Sequence, residues 1–249
     1  MPFTTVAWSA SVDQANIAPI AAVADPHVRV QGNDVIVPPD MPWLVGAYAN
    51  GANITRAQWQ SPSLRRFINY ELAPYDRAAS PASPYAYLYF ADDPVQLDGD
   101  EALNFAGSED AAGASRFNGF AWLADGPLAA VNGDIRTVRV TGATTLTAYS
   151  WTNGAITFDQ TLPAGRYQIV GARFFSAGGI AFRFVFVGGI WRPGAPMVTA
   201  QNNLEARFFR NGEMGVWGEF THNTPPTVDW FSASADTSET GYIDLIKVA

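Results

Sequence analysis

Short runs of alternating hydrophobic and polar residues, interrupted by glycine and proline, make up most of this chain. The clearest run spans residues 180–187, where four large apolar side chains alternate with a second set containing one charge, Arg183. Alternation places the two sets on opposite faces of a strand, so both faces of this one are expected to be covered. Comparable runs predict further strands at 35–37, 43–48, 85–90, 117–123, 135–140, 144–151, 166–175, 215–220, 228–233 and 242–248. The pattern therefore predicts an all-β fold.

Turn signals separate these runs. An Asn-Gly pair beside a strand favours a tight hairpin turn, because both residues tolerate positive φ. Such pairs predict turns at 118–119, 132–133, 153–154 and 211–212, while 73–84 and 91–114 are predicted to be long loops.

One segment is open to two interpretations. Ser61 followed by Pro62 is a typical helix start, and the apolar residues Leu64, Phe67 and Ile68 would share one helical face. A two-residue period fits the same segment, so helix and strand both remain alternatives there.

An internal echo suggests a duplicated architecture. The triplet Val-Gly-Ala occurs at 45–47 and again at 170–172, each copy following a proline and preceding an isoleucine at similar spacing. Chance similarity between two β segments is the alternative explanation. We interpret the echo as two tandem units, 1–127 and 128–249. Units of this size fit jelly rolls better than immunoglobulin-like domains, which are nearer 100 residues and often carry a cysteine pair that is missing here.

Composition and charge exclude several classes of protein. The 249 residues include no cysteine, which rules out disulfides and thiol chemistry. The net charge is −8, and the 15 basic residues are scattered rather than clustered, which argues against a protein that coats nucleic acid. Residues 1–25 contain no Arg or Lys, so we expect no secretory signal. The sequence contains no run of 18 apolar residues, so no transmembrane helix is predicted.

Chemical motifs are sparse. Seven carboxylates fall within 92–110, and they fit three interpretations: an irregular calcium site, a glycosidase acid pair and a solvated loop. Their spacing does not match an EF-type loop, so a solvated loop is favoured. His27 and His222 lie near no Gly-x-Ser-x-Gly motif and are expected in loops. We therefore predict no catalytic, cofactor-binding or metal-binding residues.

Several segments together resemble the compact double-jelly-roll major capsid proteins of tailless icosahedral viruses. The likeness is carried by 162–173, 179–183, 192–194 and 233–245, with 46–62 as the counterpart in the first half. It implies two tandem eight-stranded jelly rolls, a homotrimer with a pseudo-hexagonal outline, an icosahedral shell built from such capsomers, location in the virion and no enzymatic activity.

The resemblance also implies partners. These are further copies of the chain, other virion proteins such as a vertex protein, and a lipid membrane beneath the coat, which such viruses often enclose. No sequence-specific contact with nucleic acid is expected. Because the chain is rich in aromatic residues, we expect subunit contacts to include some of Trp59, Trp191, Trp217 and Trp230, with core burial as the alternative for each.

Two other functions use the same strands. An extracellular carbohydrate-binding or receptor-binding β-sandwich would display Trp and Tyr as a platform for sugar rings. A β-sandwich hydrolase would place a carboxylate pair with a perturbed pKa in a cleft. Assembly, surface aromatics and an accessible acid pair distinguish the three.

Overall fold

The computed structural model describes residues 3–51, 53–64, 70–72, 87–109, 113–197 and 209–248. These residues form an all-β protein with two compact units, Thr5–Pro127 and Leu128–Ala249, the latter including Phe3 and Thr4. The prediction of an all-β fold is confirmed. Within these ranges, no helix has the length and hydrophobicity needed to span a membrane.

The strands of the first unit are β1 (Phe3–Val12), β2 (Ala18–Ile20), β3 (Val30–Gln31), β4 (Asp34–Ile36), β5 (Trp43–Gly51), β6 (Ile54–Gln60), β7 (Tyr70–Leu72), β8 (Tyr87–Tyr89), β9 (Val95–Gln96), β10 (Ala102–Glu109) and β11 (Ser115–Ala124). They form two sheets, with the orders β1-β11-β5-β8 and β3-β4-β10-β6-β7. The short strands β9 and β2 pair with β5 and β10 respectively.

The strands of the second unit are β12 (Ile135–Gly142), β13 (Trp151–Phe158), β14 (Arg166–Phe175), β15 (Gly179–Val185), β16 (Gly194–Pro196), β17 (Gly218–Thr221), β18 (Thr227–Ser232) and β19 (Glu239–Lys247). They form one sheet, β16-β15-β18-β13-β12-β19-β14-β17. Pairing between β12 and β13 joins what would otherwise be two four-stranded sheets.

The same strand order occurs in both units. When β1, β4, β5, β6, β7, β8, β10 and β11 are numbered one to eight, their sheets read 1-8-3-6 and 2-7-4-5. Numbering β12 to β19 in the same way gives 1-8-3-6 and 2-7-4-5 again. Each unit therefore repeats one eight-stranded topology.

The Val-Gly-Ala echo lies at equivalent positions of this topology. It falls on β5 and β14, the third strand of each set, and each of these pairs with the last strand of its own unit. The register shifts at the valine in both cases, so that Val45 and Val170 are extra residues opposite β11 and β19. An extra residue of this kind is a β-bulge, which bends the strand. The echo thus marks a repeated structural feature.

The glycine of each triplet permits a neighbouring segment of the chain to approach closely. A Cβ atom on Gly46 would lie 2.6 Å from the carbonyl oxygen of Leu88 and 2.9 Å from the Trp122 ring. A Cβ atom on Gly171 would lie 2.8 Å from the carbonyl oxygen of Phe209. Both obstacles include backbone, which cannot move aside as a side-chain tip can, so each position requires glycine.

Aromatic rings fill the space between facing strands in each unit. In the first unit, Phe105 of β10 lies against Gly119 of β11, and Phe117 of β11 lies against Gly107 of β10. In the second, the ring of Phe174 packs edge to face on Trp230, with 4.8 Å between centroids. These contacts make each unit a β-sandwich with a core of phenylalanine and tryptophan.

The predicted coverage of strand 180–187 is confirmed for β15, which ends at Val185, but Val187 lies beyond the strand and is 79% exposed. β15 is buried on both faces, and Arg183 is only 1% exposed. Its guanidinium lies 4.2 Å from the centre of the Trp151 ring and donates to Asp229 over 2.9 Å. The single charge on this strand is therefore paired and covered.

Three sequence expectations are corrected here. Residues 144–150 do not form a strand; Tyr149 has positive φ, and the Thr152 hydroxyl accepts a hydrogen bond from Thr147 N–H in a turn. Segment 91–114 is not a loop throughout, because it contains β9 and β10. The Asn-Gly pairs at 118–119 and 153–154 lie inside β11 and β13 rather than in turns. Asn118 remains in the sheet because its side chain bonds Ser9 and Asn50.

The start of the proposed helix is partly described. Leu64 N–H donates to the Ser61 hydroxyl over 3.1 Å, which is the bond expected of an N-cap serine. Residues 65–69 and the predicted loop 73–84 lie outside the described ranges.

Substitution of the repeated glycine is expected to destabilise either unit. Gly46→Ala and Gly171→Ala should each lower the free energy of unfolding by about 1–3 kcal/mol, because the new methyl group overlaps a backbone carbonyl. Urea denaturation measures the effect. Gly133→Ala is the matched control, since its methyl group would meet only the flexible tip of Ile246. Equal stability of all three variants would contradict the claim that close backbone contacts require glycine at positions 46 and 171.

Candidate functional site

The four tryptophans proposed for subunit contacts fall into two groups. Trp59 and Trp230 are fully buried and Trp217 is 2% exposed, each within the core of one unit. This corrects the expectation for these three, whose rings leave no surface for another copy. Trp191 is only partly buried, and its place at a contact stays a prediction. The richness in aromatic residues, from which subunit contacts were expected, is explained at these three positions by packing in the core.

The acidic segment is less exposed than expected. Asp92, Asp93, Asp98 and Asp100 are exposed, but Glu109 lies on β10 and is 3% exposed. Its Oε1 accepts a 3.3 Å hydrogen bond from Gln14 N–H. The solvated-loop interpretation is therefore wrong for Glu109, while Asp110 lies outside the described residues. In the described part of the chain, no three carboxylate or imidazole groups are placed to hold a metal ion.

Both histidines lie in loops. His27 is exposed, and its backbone N–H donates to Asp25. His222 Nδ1 accepts a 3.2 Å hydrogen bond from Gly165 N–H, so it helps to close a turn.

Exposed apolar side chains instead mark one end of the second unit. Among the described residues, the large hydrophobic side chains that are exposed are Val187 at 79%, Ile190 at 58% and Val248 at 42%. Val187 lines a hollow with Arg166, and Val248 N–H donates to the Arg166 carbonyl oxygen over 3.0 Å. We call Val187, Ile190 and Val248 the apolar end.

The loop that carries Val187 and Ile190 is held from beneath. The buried Arg192 guanidinium donates to the carbonyl oxygen of Gly189 over 2.7 Å and to that of Trp191 over 3.1 Å. Gly189 N–H also donates to Phe186 O over 3.1 Å. The loop is thus braced while its apolar side chains face water. In the sequence, a Gly188-Gly189 pair between two β-branched apolar residues is the signal that marks this loop.

A charged rim borders the apolar end. Glu219 accepts hydrogen bonds from Gln168 and then from Arg166, which together lower the pKa of its carboxyl. Arg166 and Glu219, together with Val187 and Phe220, line an open hollow of about 300 Å³. An apolar patch with a polar rim is the usual composition of a protein contact surface.

A buried charge pair fastens the segment after Phe209 to the last strand. Asp244 on β19 is fully buried, and it accepts hydrogen bonds from Arg210 at 2.7 and 2.8 Å, from Thr137 at 2.6 Å and from Asn211 N–H at 3.0 Å. Burial alone would raise the pKa of Asp244, but these bonds hold it below its usual value of 3.8. Sequence reasoning gave no signal for this pair, because its members are 34 residues apart.

Comparisons with known proteins identify no family for the chain. No protein-family model matches it, and no curated protein matches its sequence. Among solved structures, the major capsid protein P2 from bacteriophage PM2 is 13% identical, with 99% of this chain and 98% of that chain covered and a TM-score of 0.26. A Paenibacillus xanthan lyase is 9% identical, with 96% of this chain but 25% of the lyase covered and a TM-score of 0.26. Scores this low establish no shared fold.

Removal of Arg210 is expected to destabilise the second unit. Arg210→Ala leaves the buried Asp244 carboxylate without its cation and should cost about 3 kcal/mol at neutral pH. The loss should shrink in acid. The pKa of Asp244 is lower in the folded protein than in the unfolded chain, so its contribution to stability is complete above the unfolded pKa and disappears as the pH falls through the folded pKa. Denaturant unfolding at several pH values measures both effects.

Arg136→Ala is the matched control, since it breaks an ion pair with Asp134 whose side chains are 75% and 80% exposed. It should change stability by less than about 1 kcal/mol. Equal losses in the two variants would contradict the importance of the buried pair.

Proposed function

We propose that this protein is a structural viral capsid protein whose two units are tandem jelly rolls. The observation that supports this most directly is the order 1-8-3-6 and 2-7-4-5 in both units. A jelly roll is a double-sheet sandwich of eight strands that contains two Greek keys. Both sets of eight strands are compatible with that description.

Duplication within one chain suits a shell. Three copies of a twin-unit chain give six similar walls, so a homotrimer has a nearly hexagonal outline and tiles a curved surface with similar lateral contacts. The proposed location is the virion. Proposed partners are other copies of the chain, other virion proteins such as a vertex protein, and a lipid membrane beneath the coat. The net charge of −8 favours no direct contact with nucleic acid.

The apolar end is the proposed contact surface between copies. Val187 and Ile190 are held in water by a braced loop, and their burial against another copy would recover the hydrophobic free energy that exposure costs. Trp191 adjoins them and remains the one proposed tryptophan with surface left to contribute.

The two alternatives lack such support. In the described ranges, no Trp, Tyr or Phe is fully exposed, so these residues provide no platform for sugar rings. A hydrolase needs an accessible acid, whereas the described carboxyl whose pKa is raised, that of Glu239, is 1% exposed. No enzymatic activity is proposed.

Measurement of solution mass tests the proposal. Sedimentation equilibrium at micromolar concentration should give three times the chain mass of 26.8 kDa, and electron micrographs should show three-lobed capsomers or closed particles. A strict monomer that forms no particles would overturn the proposed role.

Polar replacement of the loop tip locates the contact. Val187→Ser with Ile190→Ser should weaken self-association at least tenfold without lowering the stability of the monomer, because both side chains are exposed there. Thr145→Ser with Thr157→Ser, at exposed positions elsewhere on the same unit, is the matched control. Unchanged assembly in the loop variant, with trimers still present, would remove the apolar end from the proposal and leave the shell role intact.

A further inference from the structure

A buried glutamate occupies the inner face of the second unit. Glu239 begins β19 and pairs with Gly142 of β12. In this ladder it shares a face with Ile243, and the neighbouring Gly241 pairs with Phe174, whose ring packs against Trp230. The carboxyl of Glu239 therefore points toward the hydrophobic core, and the residue is 1% exposed.

Gly142 provides the space for this carboxyl. A Cβ atom on Gly142 would lie 3.1 Å from Oε2 of Glu239 and 3.0 Å from Cζ2 of Trp230. The acid and the indole ring thus meet where the partner strand has no side chain. A carboxylate in such apolar surroundings is costly unless donors compensate it.

Among the described residues, no other residue donates a hydrogen bond to this carboxyl. Neither Oε1 nor Oε2 of Glu239 has a hydrogen-bond partner there. The nearby Asp236 is the opposite case, because it accepts hydrogen bonds from the N–H groups of Gly178, Thr237 and Ser238. Burial would raise the pKa of Asp236, yet these bonds and one from Ser176 hold it below 3.8. Asp236 therefore remains charged beside an acid that has no compensation.

The other charges of the surrounding strands face away from Glu239. Arg139 and Arg173 both lie opposite Tyr242, three residues along β19 from Glu239, and this odd spacing places them on the outer face of the sheet. Arg183 and Asp229 pair with each other on the face opposite to Trp230. Among the described groups, Asp236 is thus the charge that acts on Glu239. Burial first, and then Asp236, raise the pKa of Glu239 to about 7, against a smaller effect of its own N–H.

We propose that Glu239 is a proton-binding site that couples the stability of the second unit to pH through the neutral range. The unit folds with this carboxyl neutral, and ionisation places an uncompensated charge at the start of β19, between β12 and β14. Weak alkali then loosens the beginning of β19 first. This device stands independently of the proposed shell function.

The sign follows from linkage. Below the unfolded value of 4.5, Glu239 is protonated in both states and has no effect on stability. Between 4.5 and about 7 the unfolded chain releases a proton that the folded chain keeps, so stability falls as pH rises. Above about 7 the full cost is present and stays constant. The separation corresponds to roughly a hundredfold to thousandfold change in the unfolding equilibrium constant.

The experiment compares the pH dependence of unfolding in the full chain and in Glu239→Gln. Between pH 5 and pH 8 the variant should lack the roughly fifty- to hundredfold weakening that Glu239 contributes in the wild type, and it should be the more stable protein at pH 8. Glu219→Gln is the matched control, because its lowered pKa already leaves it ionised over this range. The control should keep the wild-type slope.

Infrared spectroscopy of the wild type provides a readout that does not require the variant to fold. A carboxylic acid C=O band should be present at pH 6 and be lost above pH 8. Absence of the band at pH 6, or an unchanged slope in Glu239→Gln, would overturn the proposal. Stabilisation by added Ca²⁺ at pH 6 together with absence of the acid band would also overturn it, since the carboxyl would then bind a cation instead of a proton.

Discussion

Phenylalanine rings packed over glycines set how closely strands approach one another in both units. Phe105 lies on Gly119 and Phe117 on Gly107 in the first unit, and in the second Phe174 lies on Gly241. A ring fits there only because the facing residue has no Cβ, so the position of each aromatic fixes the position of a glycine. The strands that carry these rings and glycines therefore lie as close together as a ring resting on a glycine allows.

Most of the acidic side chains that lie inside the second unit are compensated by a partner. Asp244 and Asp229 are each paired with an arginine, and Asp236 is compensated by backbone donors. Glu239 is the exception among them, because it faces Trp230 at the place that Gly142 leaves open. Paired groups hold the unit together, and the unpaired one makes it responsive to the solvent.

The sequence supports the fold class better than the site. Strand 166–175 is predicted with its observed bounds, since alternation of apolar residues depends only on local sequence. The Asn-Gly pair at 118–119 misleads, because the bonds that keep Asn118 in β11 come from Ser9 and Asn50, which are distant in sequence. Composition likewise could not decide whether Trp59 or Trp191 would be buried, as burial depends on what the other sheet places opposite each ring.

Pairing between β12 and β13 distinguishes the second unit from the first, whose two sheets share no such strand pair in the described residues. Backbone hydrogen bonds therefore connect the two layers of the second sandwich along one edge. Sliding of one layer over the other must break the backbone hydrogen bonds between β12 and β13 there, whereas in the described residues of the first unit side-chain packing opposes it. Mechanical load applied to the whole chain should consequently shear the amino-terminal layers before the carboxy-terminal ones.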